Sequence, residues 1–230
     1  MNKLKNILVG VIAITMTSFS SAYSFEGFSV GAVYSQMDFS TKGKEVTSTG
    51  TLTEALEANS TTKTGSGDLG SVFAEYTFAQ GSTLGVEMIQ GSATLGKASR
   101  TGTSIGDVLT SYTVTASAEI SDPTTFYVEP TFMLNEKFGV YVKGGATTVS
   151  VQPKEVDANS ATSSTYKAQD LWGIMTGFGA KYYIGNFFAK AEYVETEFAT
   201  YNHQSTTGNK HIITADIDTE ETRFAVGYNF

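Results

Sequence analysis

The residues able to do chemistry are few. His203-Gln204-Ser205 sets an imidazole and a hydroxyl two positions apart, on one face if the segment is a strand. With Asp216 or Asp218 orienting the ring, the pair could act as base and nucleophile of a hydrolase. His203 and His211 stand eight apart without strand register, so they do not make a metal site. The acidic pairs Asp216/Asp218 and Glu220/Glu221 lack the pattern of a calcium loop. There is no cysteine, which excludes a thiolate metal centre, a disulfide framework and a cysteine nucleophile. No cofactor is expected. A second group is larger: Glu75, Glu87, Glu129 and Glu192 with Lys143, Lys181, Lys190 and Arg223. Each sits at a polar position of a segment whose alternate positions are apolar. Four acids against four bases is the composition of an ion-pair network and not of a catalytic centre.

The whole chain is less evenly charged. Its 230 residues carry a net charge of −8, and only 17% are charged, below the usual quarter. There are 23 glycines, 12 tyrosines and 15 phenylalanines. The acidic balance argues against nucleic acid as a partner, since that binding rests on Lys and Arg neutralising phosphates. Residues 1–24 read as a secretory signal, with Lys3 and Lys5, an apolar run over 7–16, and small residues offering cleavage near 22–24. The run is too short to span a bilayer as a helix.

The elements that hold the eight charges are strands. Period-two alternation marks eight of them: Phe28–Phe39, Leu69–Ala79, Thr83–Ala93, Thr125–Leu134, Phe138–Ser150, Leu171–Ile184, Phe187–Phe198 and Thr222–Phe230. The second and third, fourth and fifth, and sixth and seventh are joined by turns of two or three residues. The other connections, around 41–67, 94–123, 151–170 and 199–220, are long. One segment resists this scheme, because Tyr112, Val114, Ala116, Ala118 and Ile120 alternate as a strand would. It is read as an extension of the neighbouring hairpin. A ten-stranded alternative would recruit it, within 108–120, together with 47–56.

Alternating short turns and long loops, with an even strand count, fit an antiparallel up-and-down transmembrane barrel over 25–230. A lipocalin-like barrel would put the apolar face inside. A membrane barrel puts the charges in the lumen, because a Lys or Arg facing mid-bilayer costs about 2–4 kcal/mol. Glycines on the charged face, such as Gly31, Gly139, Gly179 and Gly227, make room for long side chains in a narrow interior. The last strand ends Phe224, Val226, Tyr228, Phe230 at alternating positions.

The signal segment, eight strands, unequal connections and Tyr-x-Phe end resemble the small outer-membrane barrel superfamily. That group includes the transmembrane domain of outer membrane protein A and the opacity-type adhesins. The resemblance implies outer-membrane lipids as surroundings and the barrel-assembly machinery as a partner, reading Phe224, Val226, Tyr228 and Phe230. It also implies surface loops for adhesion or envelope contacts with a partner that no loop motif identifies. A narrow passive pore is the alternative. An outer-membrane lipid hydrolase using His203 and Ser205 is a further one.

Overall fold

The computed structural model describes residues 25–46, 58–79, 81–89, 92–104, 110–157, 166–204 and 212–230. Eleven strand segments run β1 (Gly27–Val46), β2 (Ala58–Thr77), β3 (Thr83–Ile89), β4 (Ser92–Ser104), β5 (Thr110–Glu129), β6 (Thr131–Met133), β7 (Phe138–Asp157), β8 (Gln169–Ile184), β9 (Phe187–Phe198), β10 (Tyr201–Gln204) and β11 (Ile212–Asn229). They make eight barrel strands. β3 and β4 both pair with β5, β5 and β6 both pair with β7, and β9 and β10 both pair with β11. Pro130 separates β5 from β6, since it has no N–H to give to the ladder. Every pairing is antiparallel. The barrel closes where β1 meets β11, in register from Ser29↔Asn229 to Val46↔Ile212.

The turns have local causes. Gly81 and Gly185 hold φ of 88° and 60°, which L side chains resist. At the third short turn, Asn135 Oδ1 accepts the backbone N–H groups of Lys137 and Phe138, both at 2.9 Å.

The strands are longer than their alternation. β1, β2, β5, β7 and β11 run on by several residues into stretches read from sequence as loops, and 110–120 is the upper half of β5 rather than a separate strand. The count stays at eight. Asp122, at φ 52°, lies in an irregularity where the β5–β7 register shifts between Ser121 and Thr124. Below it Thr125, Tyr127 and Glu129 point inward. Above it the inward positions are Ala118 and Ile120, which pack against the interior apolar cluster. Residues 1–24, Ser205 and His211 lie outside the described residues.

Apolar side chains of the lower strands point outward. Phe28, Val30, Val72, Leu84, Phe126, Ile174, Phe178, Phe187 and Val226 are all exposed. They form an apolar band on the barrel wall. Phe28, Phe78 and Phe187 mark its short-turn rim, and Trp172 its opposite rim.

Candidate functional site

The interior holds the charges. Glu75, Glu87, Glu129, Glu192, Lys143, Lys181, Lys190 and Arg223 are all buried, and Glu129 and Lys181 are 0% exposed. They come from seven segments, β2, β3, β5, β7, β8, β9 and β11, and converge because strand tilt brings inward positions of different strands to one level.

Their contacts form one continuous network. Lys190 Nζ lies 2.5 Å from Glu75 Oε2 and 2.8 Å from Glu129 Oε2. Lys181 Nζ bridges the same two carboxylates at 3.3 and 3.5 Å. Lys143 Nζ joins Glu129 (3.1 Å) to Glu192 (2.9 Å). Arg223 carries the network on, with Nε 3.2 Å from Glu192 Oε2 and Nη2 on both oxygens of Glu87. Neutral donors fill remaining lone pairs. Tyr127 donates to Glu75 and Tyr141 to Glu192, both at 2.8 Å, and Ser71 donates to Glu87 at 2.5 Å. Rings also face the cations, with Lys143 Nζ 4.0 Å from the Tyr127 centroid and Lys190 Nζ 5.1 Å from that of Phe73. Removing one member leaves a buried charge short of a partner, so the set holds its members mutually in place.

Sequence reading missed a ninth member. Glu221 lines the same interior, with its Oε2 4.0 Å from Arg223 Nη1. It stands two positions before Arg223 and so shares its face. Alternation in the sequence marks the last strand only from Thr222, one residue past Glu221. The described interior therefore holds five acids against four bases. Lys143, Lys181 and Lys190 serve Glu75, Glu129 and Glu192, which leaves Arg223 shared between Glu87, Glu221 and Glu192.

Apolar side chains flank the network. Met37, Phe39, Val149, Val151, Leu171, Tyr201 and Ile217 fill the long-loop side of the lumen. Between them and Arg223 lies a cavity of about 50 Å³, room for a water molecule or two. Toward the short turns, Phe73, Tyr183 and Phe188 cluster with Val33 and Ala225. The lumen glycines are docking places for rings. A Cβ on Gly31, Gly85 or Gly227 would collide with Phe73, Tyr127 or Phe188 respectively.

Neither candidate aspartate joins His203. His203 pairs with Ile213 and Tyr201 with Ala215, and paired residues share a sheet face. Tyr201, Ala215 and Ile217 belong to the interior cluster. Asp216 and Asp218 have the opposite parity and face outward, where Asp216 accepts a hydrogen bond from Thr200. Neither can orient the His203 ring. Among the described residues no group of three His, Asp or Glu is placed to hold a metal ion.

At the C-terminus, Phe224, Val226, Tyr228 and Phe230 all lie on the outer wall. Tyr228 packs edge-on against Phe187 and Phe230, with centroids 5.0 and 5.2 Å apart.

A closed barrel with an apolar outer band and a charged interior defines a transmembrane β-barrel, because the charges are withdrawn from lipid and no backbone edge faces it. The model of the outer membrane protein beta-barrel domain matches residues 7–230, and the chain belongs to that family. It is a barrel of the bacterial outer membrane. Two solved structures agree in fold. The outer membrane protein OprG of Pseudomonas aeruginosa is 13% identical, with a TM-score of 0.51 over 89% of this chain and 97% of that one. The outer membrane protease OmpT of Escherichia coli is 8% identical, also at 0.51, over 93% and 99%. The attachment invasion locus protein Ail of Yersinia pestis is 14% identical over 86% and 99%, at a TM-score of 0.34. A search of the curated proteins finds no match.

Proposed function

We propose that the protein is a structural, surface-displaying barrel, without enzymatic activity, whose lumen is plugged by the salt-bridge network. The observation that carries this reading is the unbroken run of ion pairs from Lys181 to Arg223, flanked by apolar packing. An eight-stranded interior is just wide enough for side chains to fill it. Its partners are outer-membrane lipids along the apolar band and the assembly machinery at Phe224, Val226, Tyr228 and Phe230. The long connections, rich in Ser, Thr, Gly and acids, serve adhesion or envelope contacts. Residues 1–24 act as the export signal, and 25–230 form the mature domain.

Expression in a non-adherent bacterial host tests the display role. Cells should gain attachment to a host-cell layer or resistance of the envelope to detergent. They should lose the gain when 47–57 and 205–211 are replaced by Gly/Ser. No change in either property would contradict the reading.

A further inference from the structure

Tyr183 lies one residue from the Ile184–Phe187 turn, at the short-turn mouth of the barrel, where an inward ring should meet water. It is only 2% exposed, and its neighbour in the cluster, Phe188, only 3%. Something covers them. The cover is Phe25, whose ring stacks on Tyr183 with centroids 3.7 Å apart and planes at 7°. Met133 packs against the same cluster from another strand.

The segment ahead of β1 is held in this position by the end of the chain. Asn229 Nδ2 donates to the Phe25 carbonyl at 3.0 Å, and Asn229 is itself buried. Gly27, at φ 147°, lets the backbone enter β1 from across the mouth, a conformation that L side chains rarely adopt. A Cβ there would also meet Asn229 Oδ1. Phe230 N donates to Phe28 O at 2.9 Å, so this clasp sits on the β1–β11 seam. Behind the covered rings lies Lys181, its Nζ 5.3 Å from the Phe188 centroid and 5.9 Å from that of Tyr183.

We propose that Phe25 is a stopper for the short-turn mouth, clasped by Asn229, which keeps water and solutes of that compartment from the Lys181–Glu75–Glu129 end of the network. Stacked aromatic area excludes water over the mouth, while side-chain hydrogen bonds from Asn229 to the Phe25 carbonyl and from the exposed Tyr76 hydroxyl to Glu26, together with the glycine, make the strap releasable. The inference rests on the barrel and its inward charges, and not on any role of the loops or on whether the lumen conducts.

The absence of native cysteine gives a clean test. Thr77, opposite Gly27 and buried, is replaced by Cys as a reporter. The micelle-folded protein is then treated with a trimethylammonium-ethyl methanethiosulfonate, whose reaction follows access to the thiol. Thr77→Cys alone should label slowly. Adding Phe25→Ala should raise the rate at least about tenfold, as expected when a buried thiol gains access. Adding Asn229→Ala instead, which frees the carbonyl but keeps the ring, should give an intermediate rate. A heat-modifiability gel verifies that each protein is folded, and should Phe25→Ala not fold, the Asn229→Ala comparison decides. Equal labelling rates with and without the clasp would overturn the proposal.

Discussion

Glu221 and Arg223 stand two positions apart on the inner face of β11, with Oε2 4.0 Å from Nη1, the loosest ion pair among the described lumen residues. Arg223 is already committed to Glu87 and Glu192. Glu221 is thus the acid that the interior bases do not fully compensate. Glu221→Gln should raise the urea unfolding midpoint, because it removes an excess buried charge and keeps the side-chain shape. Glu129→Gln should do the opposite. Three lysines converge on Glu129, and breaking such a buried set costs about 3–5 kcal/mol. Equilibrium unfolding in lipid vesicles measures both.

The same logic separates two lysines of β7. Lys143 is buried between Glu129 and Glu192. Lys154 is exposed and pairs with Glu119 on the outer side, where β7 runs beside the upper half of β5. Lys143→Glu should abolish folding or strongly lower stability, since it sets a third carboxylate between two. Lys154→Glu should leave the unfolding midpoint where it was, because solvent screens exposed pairs. Equal effects would contradict the assignment of inner and outer faces.

Gly85 tests the packing of ring against backbone. A side chain there would occupy the place of the Tyr127 ring, which donates to Glu75. Gly85→Val should cost about 1–3 kcal/mol by overpacking. It should also free the Tyr127 hydroxyl, seen as a shift in the tyrosine ultraviolet absorbance of the folded barrel.

Outside the membrane, pH dependence has a defined sign. Hydrogen bonds from Lys154, then from Ser92, hold the Glu119 carboxyl below the usual carboxylate range. A depressed folded pKa favours the paired β5–β7 extension above the unfolded value, near 4.5, by an amount that solvent screening keeps too small to move the unfolding midpoint. That stabilisation is lost as pH falls through the lower folded value. Lys154→Ala should return Glu119 to the ordinary range, read by carboxyl NMR titration. An unchanged Glu119 titration would show that the pair does not form in solution.

The strand bodies were legible in the sequence because lipid on one side and lumen on the other impose period two. Val72, Ala74, Tyr76 and Phe78 show it without ambiguity. The inward charges were legible from the same alternation. Beyond the interior apolar cluster that ends β1's alternation at Phe39, both faces of β1 and β2 carry mostly polar residues, and the upper parts of the two strands read as loops although their ladder continues to Val46↔Ala58. In β5 the alternation persists, but the irregularity at Asp122 reverses its phase, so 112–120 looked like a strand without a place. Glu221 was missed for a related reason. It sits where the apolar partners of strand eight stop, and only its parity with Arg223 marks it as inward. Convergence of seven strand segments on one network depends on tilt and register, which no single segment encodes.

The account stands most directly on whether the lumen is sealed. Planar-bilayer recording of the purified, folded protein measures this. A network continuous from Lys181 to Arg223 beneath the Met37–Ile217 apolar cluster predicts no stable unitary current at any applied voltage that the bilayer withstands. Reproducible single-channel steps from the folded, heat-modifiable protein would contradict a plugged barrel and favour a narrow pore.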